Sequence, residues 1–190
     1  MSGRPSSEQA PTLLPSRTRH SRSDPGLRSV AVGRARAARI AATIPQPLRI
    51  VSRSERKALD TAEIIAGRWG TEFEVDEDLG EMGRSATGYL DPSAFEPAVD
   101  AFFAEPQRSV RGWERAIDAQ SRVERAVRRF AAQTPERGIA FIAHGGVGAL
   151  LLASLRRERI SRALDQPAKG SSFTFDPQGL TALSPWEHVH

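Results

Sequence analysis

The chain has 190 residues, 39% of them hydrophobic and 26% charged, which suits one globular domain with a sizeable core. It has no cysteine and only four histidines, so disulfides, thiolate zinc sites and a thiol nucleophile are excluded and no metal site is expected. No apolar stretch reaches bilayer length and no signal-peptide core opens the chain, so a cytoplasmic protein with no membrane partner is expected.

The formal net charge is +4, and residues 1–40 carry eight arginines against Glu8 and Asp24, which leaves the rest of the chain net acidic. This basic arm has no aromatic residue to stack on bases and no periodic basic face before Gly33. It reads as a solvated arm rather than a nucleic-acid binder. Residues 1–29, rich in Ser, Arg and Pro, read as an irregular segment. Residues 30–183 read as one domain, and 184–190 as a loose tail.

Taken in order, the first expected element is an Ala/Arg-rich helix from Val32 to Ile44, closed by Pro45 and Pro47. A strand over 48–52 follows. Ser54 is placed to cap a helix that runs to about Arg68, with Ala58, Ala62, Ile65 and Ala66 inward and Gly70 at its end. Residues 73–75 read as a brief strand and 78–91 as a Gly- and acid-rich loop. Helices are expected over 92–103 and 113–132, the second with Trp113, Ile117, Val123, Val127 and Phe130 inward. Gly138 to Ala143 is a β-prone apolar run, and Val147 to Leu155 is too long and leucine-rich for a turn, so it reads as a buried helix. Residues 171–175 alternate like a last strand. Strands alternating with helices predict an α/β fold, a three-layer sandwich around a largely parallel sheet. No feature specifies an oligomeric state.

His144 is therefore expected where a strand hands over to a helix. In open α/β sheets the ligand crevice lies outside the carboxyl ends of the strands, and a helix starting there offers free N–H groups to an anion. Gly145 and Gly146 let a ligand approach the backbone. A capping histidine is the competing reading. Arg53, Arg56 and Lys57 lie at the head of the helix after 48–52, where cations oppose the helix dipole, a cost that holding an anion would offset. A solvated charged face accounts for them as well. Glu81 is an acid in a glycine-bearing loop after a strand, and Arg19-His20 pairs a base with the histidine nearest the N-terminus.

The ordered set resembles the histidine phosphatase superfamily, also called phosphoglycerate mutase-like. The segments that carry the resemblance are Ser52 through Lys57-Ala58-Leu59-Asp60-Thr61-Ala62, Leu79-Gly80-Glu81 and Ala143-His144-Gly145-Gly146-Val147. Gly33-Arg-Ala-Arg-Ala37 is similar to the start of the family's first helix. Gly112-Trp113 with Arg122-Val123 is similar to a later family segment. The resemblance covers roughly residues 30–176. It implies a phosphoglycerate mutase-like α/β fold and a metal-independent phosphomonoesterase that uses no cofactor and acts on a small phosphorylated substrate.

It further implies His20 as the nucleophile, Glu81 as proton donor and His144 as a phosphate-holding group. Arg19, Lys57, Arg56 and Arg53 would be the cationic phosphate contacts. The sequence departs from the family pattern in two places. Ser21 stands where Gly is expected after Arg19-His20, with no clear strand before it, and Lys57 replaces an arginine, giving a point charge without the two-pronged fork. His20 can thus be read as the nucleophile or as an incidental histidine of the basic arm. The alternatives carried forward are a catalytically impaired phospholigand-binding pseudo-phosphatase and a mutase-like phosphotransferase.

Overall fold

The structure is a computed structural model that describes residues 25–47, 49–134 and 138–188. Helix α1 spans Pro25–Thr43 and so starts well before Val32, inside the segment read as irregular. Pro25 suits a first helical position, and the Ala- and Arg-rich sequence after it favours helix throughout. Strand β1 (Arg49–Ser52) leads into α2 (Arg56–Trp69), and β2 (Glu74–Val75) follows. Gly70 ends α2 in a left-handed conformation, φ 62°, which glycine adopts without strain. Ser54 does not cap α2. The N-cap is Glu55, and its side chain makes no capping hydrogen bond, which leaves its carboxylate free for other partners.

A short 3-10 turn (Glu77–Leu79) precedes α3 (Pro92–Ala104) and α4 (Ala116–Gln133). Strand β3 (Ile139–Ile142) then runs into α5 (Gly145–Arg156). The three strands form one parallel sheet in the order β2-β1-β3. Side chains alternate across a strand, and here the alternation makes the sandwich. Ile50, Ala140 and Ile142 pack with Ala41 of α1 and Ala62, Ile65 and Ala66 of α2. Val51, Ile139 and Phe141 face the other way, onto Val123, Val127 and Phe130 of α4 and Val147, Leu151 and Leu155 of α5. Each such fully buried aliphatic side chain contributes about 1.5–3 kcal/mol. A further cluster joins α3 through Phe102 and Phe103 to Met82, Trp113 and Leu150.

Further expectations are corrected. Ile117 is at the surface, because the inner stripe of α4 runs through Ala116, Ala119, Val123, Ala126, Val127 and Phe130 and leaves it on another face. Trp113 is buried ahead of the helix, in a turn closed by its N–H to Val110 O. The last strand is broken into β4 (Ser171–Ser172) and β5 (Phe175–Asp176). These pair antiparallel with β7 (Glu187–His188) and β6 (Thr181–Ala182) respectively. Residues 184–188, read as part of a loose tail, are consequently anchored. Trp186 donates to Leu164 O at 2.8 Å and meets Phe173 edge-on at 4.7 Å. A Cβ on Gly148 would lie 2.7 Å from the Trp186 ring, so that glycine is a notch for the tail. No described helix is long and apolar enough to cross a membrane.

Candidate active site

Parallel pairing gathers the chemistry at one edge. Ser52 lies opposite both Val75 and Ile142, so the chain leaves β1, β2 and β3 at the same, carboxyl, end of the sheet. Arg53, the Asp76–Glu81 loop and His144 all follow directly. The Asp76 N–H to Ser52 O, at 2.9 Å, and the Arg53 N–H to Ile142 O, at 3.3 Å, hold these exits side by side.

His144 is the N-cap of α5, in extended conformation, and its side chain makes no capping bond. The imidazole is partly exposed and its Nε2 pairs with Glu55 Oε2. The same carboxylate oxygen lies 3.5 Å from Arg53 Nη1. Arg53 Nε is buried and has no hydrogen-bond partner among the described residues. A guanidinium and an imidazole thus share one anionic oxygen at the start of a helix, where backbone donors are unpaired by the helix itself. The Gln166 side chain lies against Gly145, where any Cβ would collide with it.

Glu81 follows the buried Leu79 on the loop after β2. Its Oε2 accepts from Arg84 Nη2 at 2.8 Å, and the Arg84 guanidinium lies over Phe95 and Trp113, with centroid distances of 5.0 and 5.8 Å. The next residue, Met82, reaches the first turn of α5, its Cε 3.0 Å from where a Gly146 Cβ would stand. The loop of Glu81 therefore borders the helix that His144 begins.

The remaining candidates are placed differently. Lys57 is exposed in the first turn of α2, its carbonyl accepting from Thr61 Oγ1. Arg56 points along α2 into an i,i+4 pair with Asp60, 2.9 Å, with its side chain 83% exposed. His20 and Arg19 lie outside the described residues. Sequence reading missed Glu55, Gln166 and the pair Arg122–Glu114. For Glu55 no local signal was available: an acid at a helix head is already favoured by the helix dipole, whichever way it turns.

Glu114 gives the site a testable pH dependence. Burial pushes its carboxyl upward, but the donors from Arg122 and the Gly83 N–H outweigh burial and hold it below the ordinary value. A depressed carboxyl stabilises the fold fully above the unfolded pKa of about 4.3, and that contribution disappears as pH falls through the folded value. Wild type is therefore expected to melt above Glu114→Gln near neutrality, with the gap closing below about pH 4.3. A gap that stays constant on acidification would refute this.

The profile of the histidine phosphatase superfamily (branch 1) matches residues 15–184. Among solved structures, native mycobacterial glucosyl-3-phosphoglycerate phosphatase is similar at 26% identity over 84% of this chain and 87% of that one, with a TM-score of 0.68. The same phosphatase in complex with inorganic phosphate matches at 28% identity over 69% and 70% of the two chains, with a TM-score of 0.58. A protein described as mycobacterial hydrolase 2 matches at 29% identity over 68% of this chain, with a TM-score of 0.61, and the match spans 61% of its own length. No curated protein matches in sequence.

Proposed function

Because the chain belongs to the histidine phosphatase superfamily, we propose that it is a metal-independent phosphomonoesterase working through a phosphohistidine. The observation that carries this reading is the shared oxygen of Glu55. Arg53 and His144 already hold an anion at the carboxyl end of the sheet, where a phosphoryl group would lie.

In this reading a neutral imidazole, that of His20, attacks phosphorus and the ester P–O bond breaks. Glu81 delivers a proton to the departing alkoxide. Water then attacks the phosphohistidine, returns a proton to Glu81, and inorganic phosphate leaves with the histidine regenerated. Phosphoryl transfer needs mainly positioning and charge neutralisation. Arg53 and His144 supply these; Lys57 and Arg56, exposed at the head of α2, and Arg19 are supplementary cations in this reading. Hydrolysis is preferred to mutase chemistry because α3 and α4, both packed on the core, take up half of the segment between Glu81 and His144.

A second reading is phospholigand binding without turnover, favoured by Ser21 after His20 and by the carboxylate seated on His144. One assay separates the two. Purified protein is expected to hydrolyse p-nitrophenyl phosphate equally with and without EDTA. It should also carry an acid-labile phosphate that is missing in His20→Ala. Phosphate binding with no turnover favours the second reading. Turnover abolished by EDTA rejects the metal-independent mechanism, and an unchanged rate in His20→Ala removes His20 from it.

A further inference from the structure

Arg122 and Glu114 form a clamp around the backbone that carries Glu81. Arginine has five N–H donors in a fixed fork, and Arg122 makes five hydrogen bonds. Nη1 donates to Asp78 O at 2.7 Å and Gly80 O at 2.9 Å. Nη2 donates to Glu81 O at 3.3 Å and Glu114 Oε2 at 2.8 Å, and Nε donates to Glu114 Oε1 at 3.0 Å. Glu114 in turn accepts from the Gly83 N–H at 3.1 Å, and its own N–H donates to Gly83 O at 2.9 Å.

The backbone is thus pinned at residues 78, 80, 81 and 83, on both sides of Glu81, while the Glu81 carboxylate takes no bond from the clamp. Arg122 is rooted in the core by its neighbour Val123, which is fully buried on α4. Its own side chain is only 17% exposed, so each bond acts in a medium where unpaired donors are costly. Gly80 fits the same design, since a Cβ there would sit 2.8 Å from Glu77 O and 3.8 Å from Arg122 Nη1. None of these bonds belongs to the sheet's ladder or to the internal bonding of a helix. Their common effect is to fix where position 81 sits against the start of α5.

We propose that Arg122, with Glu114, is a positioning residue for proton delivery by Glu81. The proposal rests on the phosphatase reading above. Its consequence is selective. An ester with a poor alkoxide leaving group needs the proton, whereas a strongly acidic phenol departs without it. Loosening the clamp should therefore slow the first reaction and spare the second.

The test compares wild type, Arg122→Lys and Glu114→Gln on glycerol phosphate and on 2,4-dinitrophenyl phosphate, with near-ultraviolet circular dichroism to verify folding. For both variants kcat on glycerol phosphate should fall about tenfold, part of the 10²–10⁴-fold that a general acid supplies. KM on both esters and kcat on dinitrophenyl phosphate should stay within about twofold of wild type, a margin far smaller than a general-acid effect. Equal losses on the two esters, or no loss on either, would overturn the positioning role. If Arg122→Lys does not fold, Glu114→Gln decides alone. A wild type that turns over neither ester sinks the phosphatase reading itself, and the clamp's role with it.

Discussion

Replacing His144 by alanine should lower kcat on p-nitrophenyl phosphate by about 10²–10³-fold, the usual cost of removing one preorganised donor from an anionic transition state. The size follows from where the imidazole stands. It is placed by β3, which pairs along its whole length with β1, and by α5, whose Val147, Leu151 and Leu155 are locked into the core. Among the described residues the side chain caps nothing and pairs with a single carboxylate, so the fold has little to lose with it. Residue 144 is already extended at the N-cap, a conformation open to alanine. The variant should melt close to wild type while losing turnover, so stability and activity separate. A His144→Ala protein that keeps its rate would show that the anion is held elsewhere. A variant that loses fold and rate together would make His144 a structural residue.

What could be read from the sequence, and what could not, divides on range. The helix ended by Gly70, the helix opened by Pro92 and the strand-to-helix handover at His144 are local patterns, and the structure has them where expected. That Glu81 and His144 follow strands leaving the sheet at one end was also legible, because parallel strands in an α/β fold release their carboxyl ends on the same side. Lys57, expected beside them, is instead exposed in the first turn of α2, and Arg53 is the cation that leaves β1 there. The pairing of Glu55 with His144 was not. It joins positions 89 apart, and nothing local distinguishes an acid that turns inward from one that caps its own helix. The C-terminal segment misled for a related reason. Two-residue strands have no period to detect, and the order of 184–188 comes from Trp186 docking on Gly148 and Phe173, contacts made only once the sandwich exists. Ile117 failed on phase: it stands six residues before Val123, which at 3.6 residues per turn puts it off the face that Val123, Val127 and Phe130 share.

Arg53 and Glu55 should act on phosphate binding with opposite signs. Glu55 stands between Arg53 and His144, and in the proposed reading a phosphate oxygen takes that place, so an incoming anion displaces it. Two unit charges 4 Å apart interact by about 4 kcal/mol at an effective dielectric near 20. The Glu55 side chain is 39% exposed and can swing into water, so most of that cost is avoidable. A residual of about 1.4 kcal/mol corresponds to a tenfold change. Glu55→Gln, which keeps the shape and removes the charge, should therefore lower the inhibition constant of inorganic phosphate about tenfold. Arg53→Gln should raise it about thirtyfold, because a hydrogen bond to a charged group contributes roughly 1.5–3 kcal/mol and the buried Nε of Arg53 has no other described partner. Competitive inhibition of p-nitrophenyl phosphate hydrolysis measures both, and phosphate binding by calorimetry serves if turnover is absent. Weaker binding in Glu55→Gln would mean that the carboxylate orients His144 for the anion and does not stand in its way. Unchanged binding in Arg53→Gln would move the phosphate towards Lys57 and the head of α2.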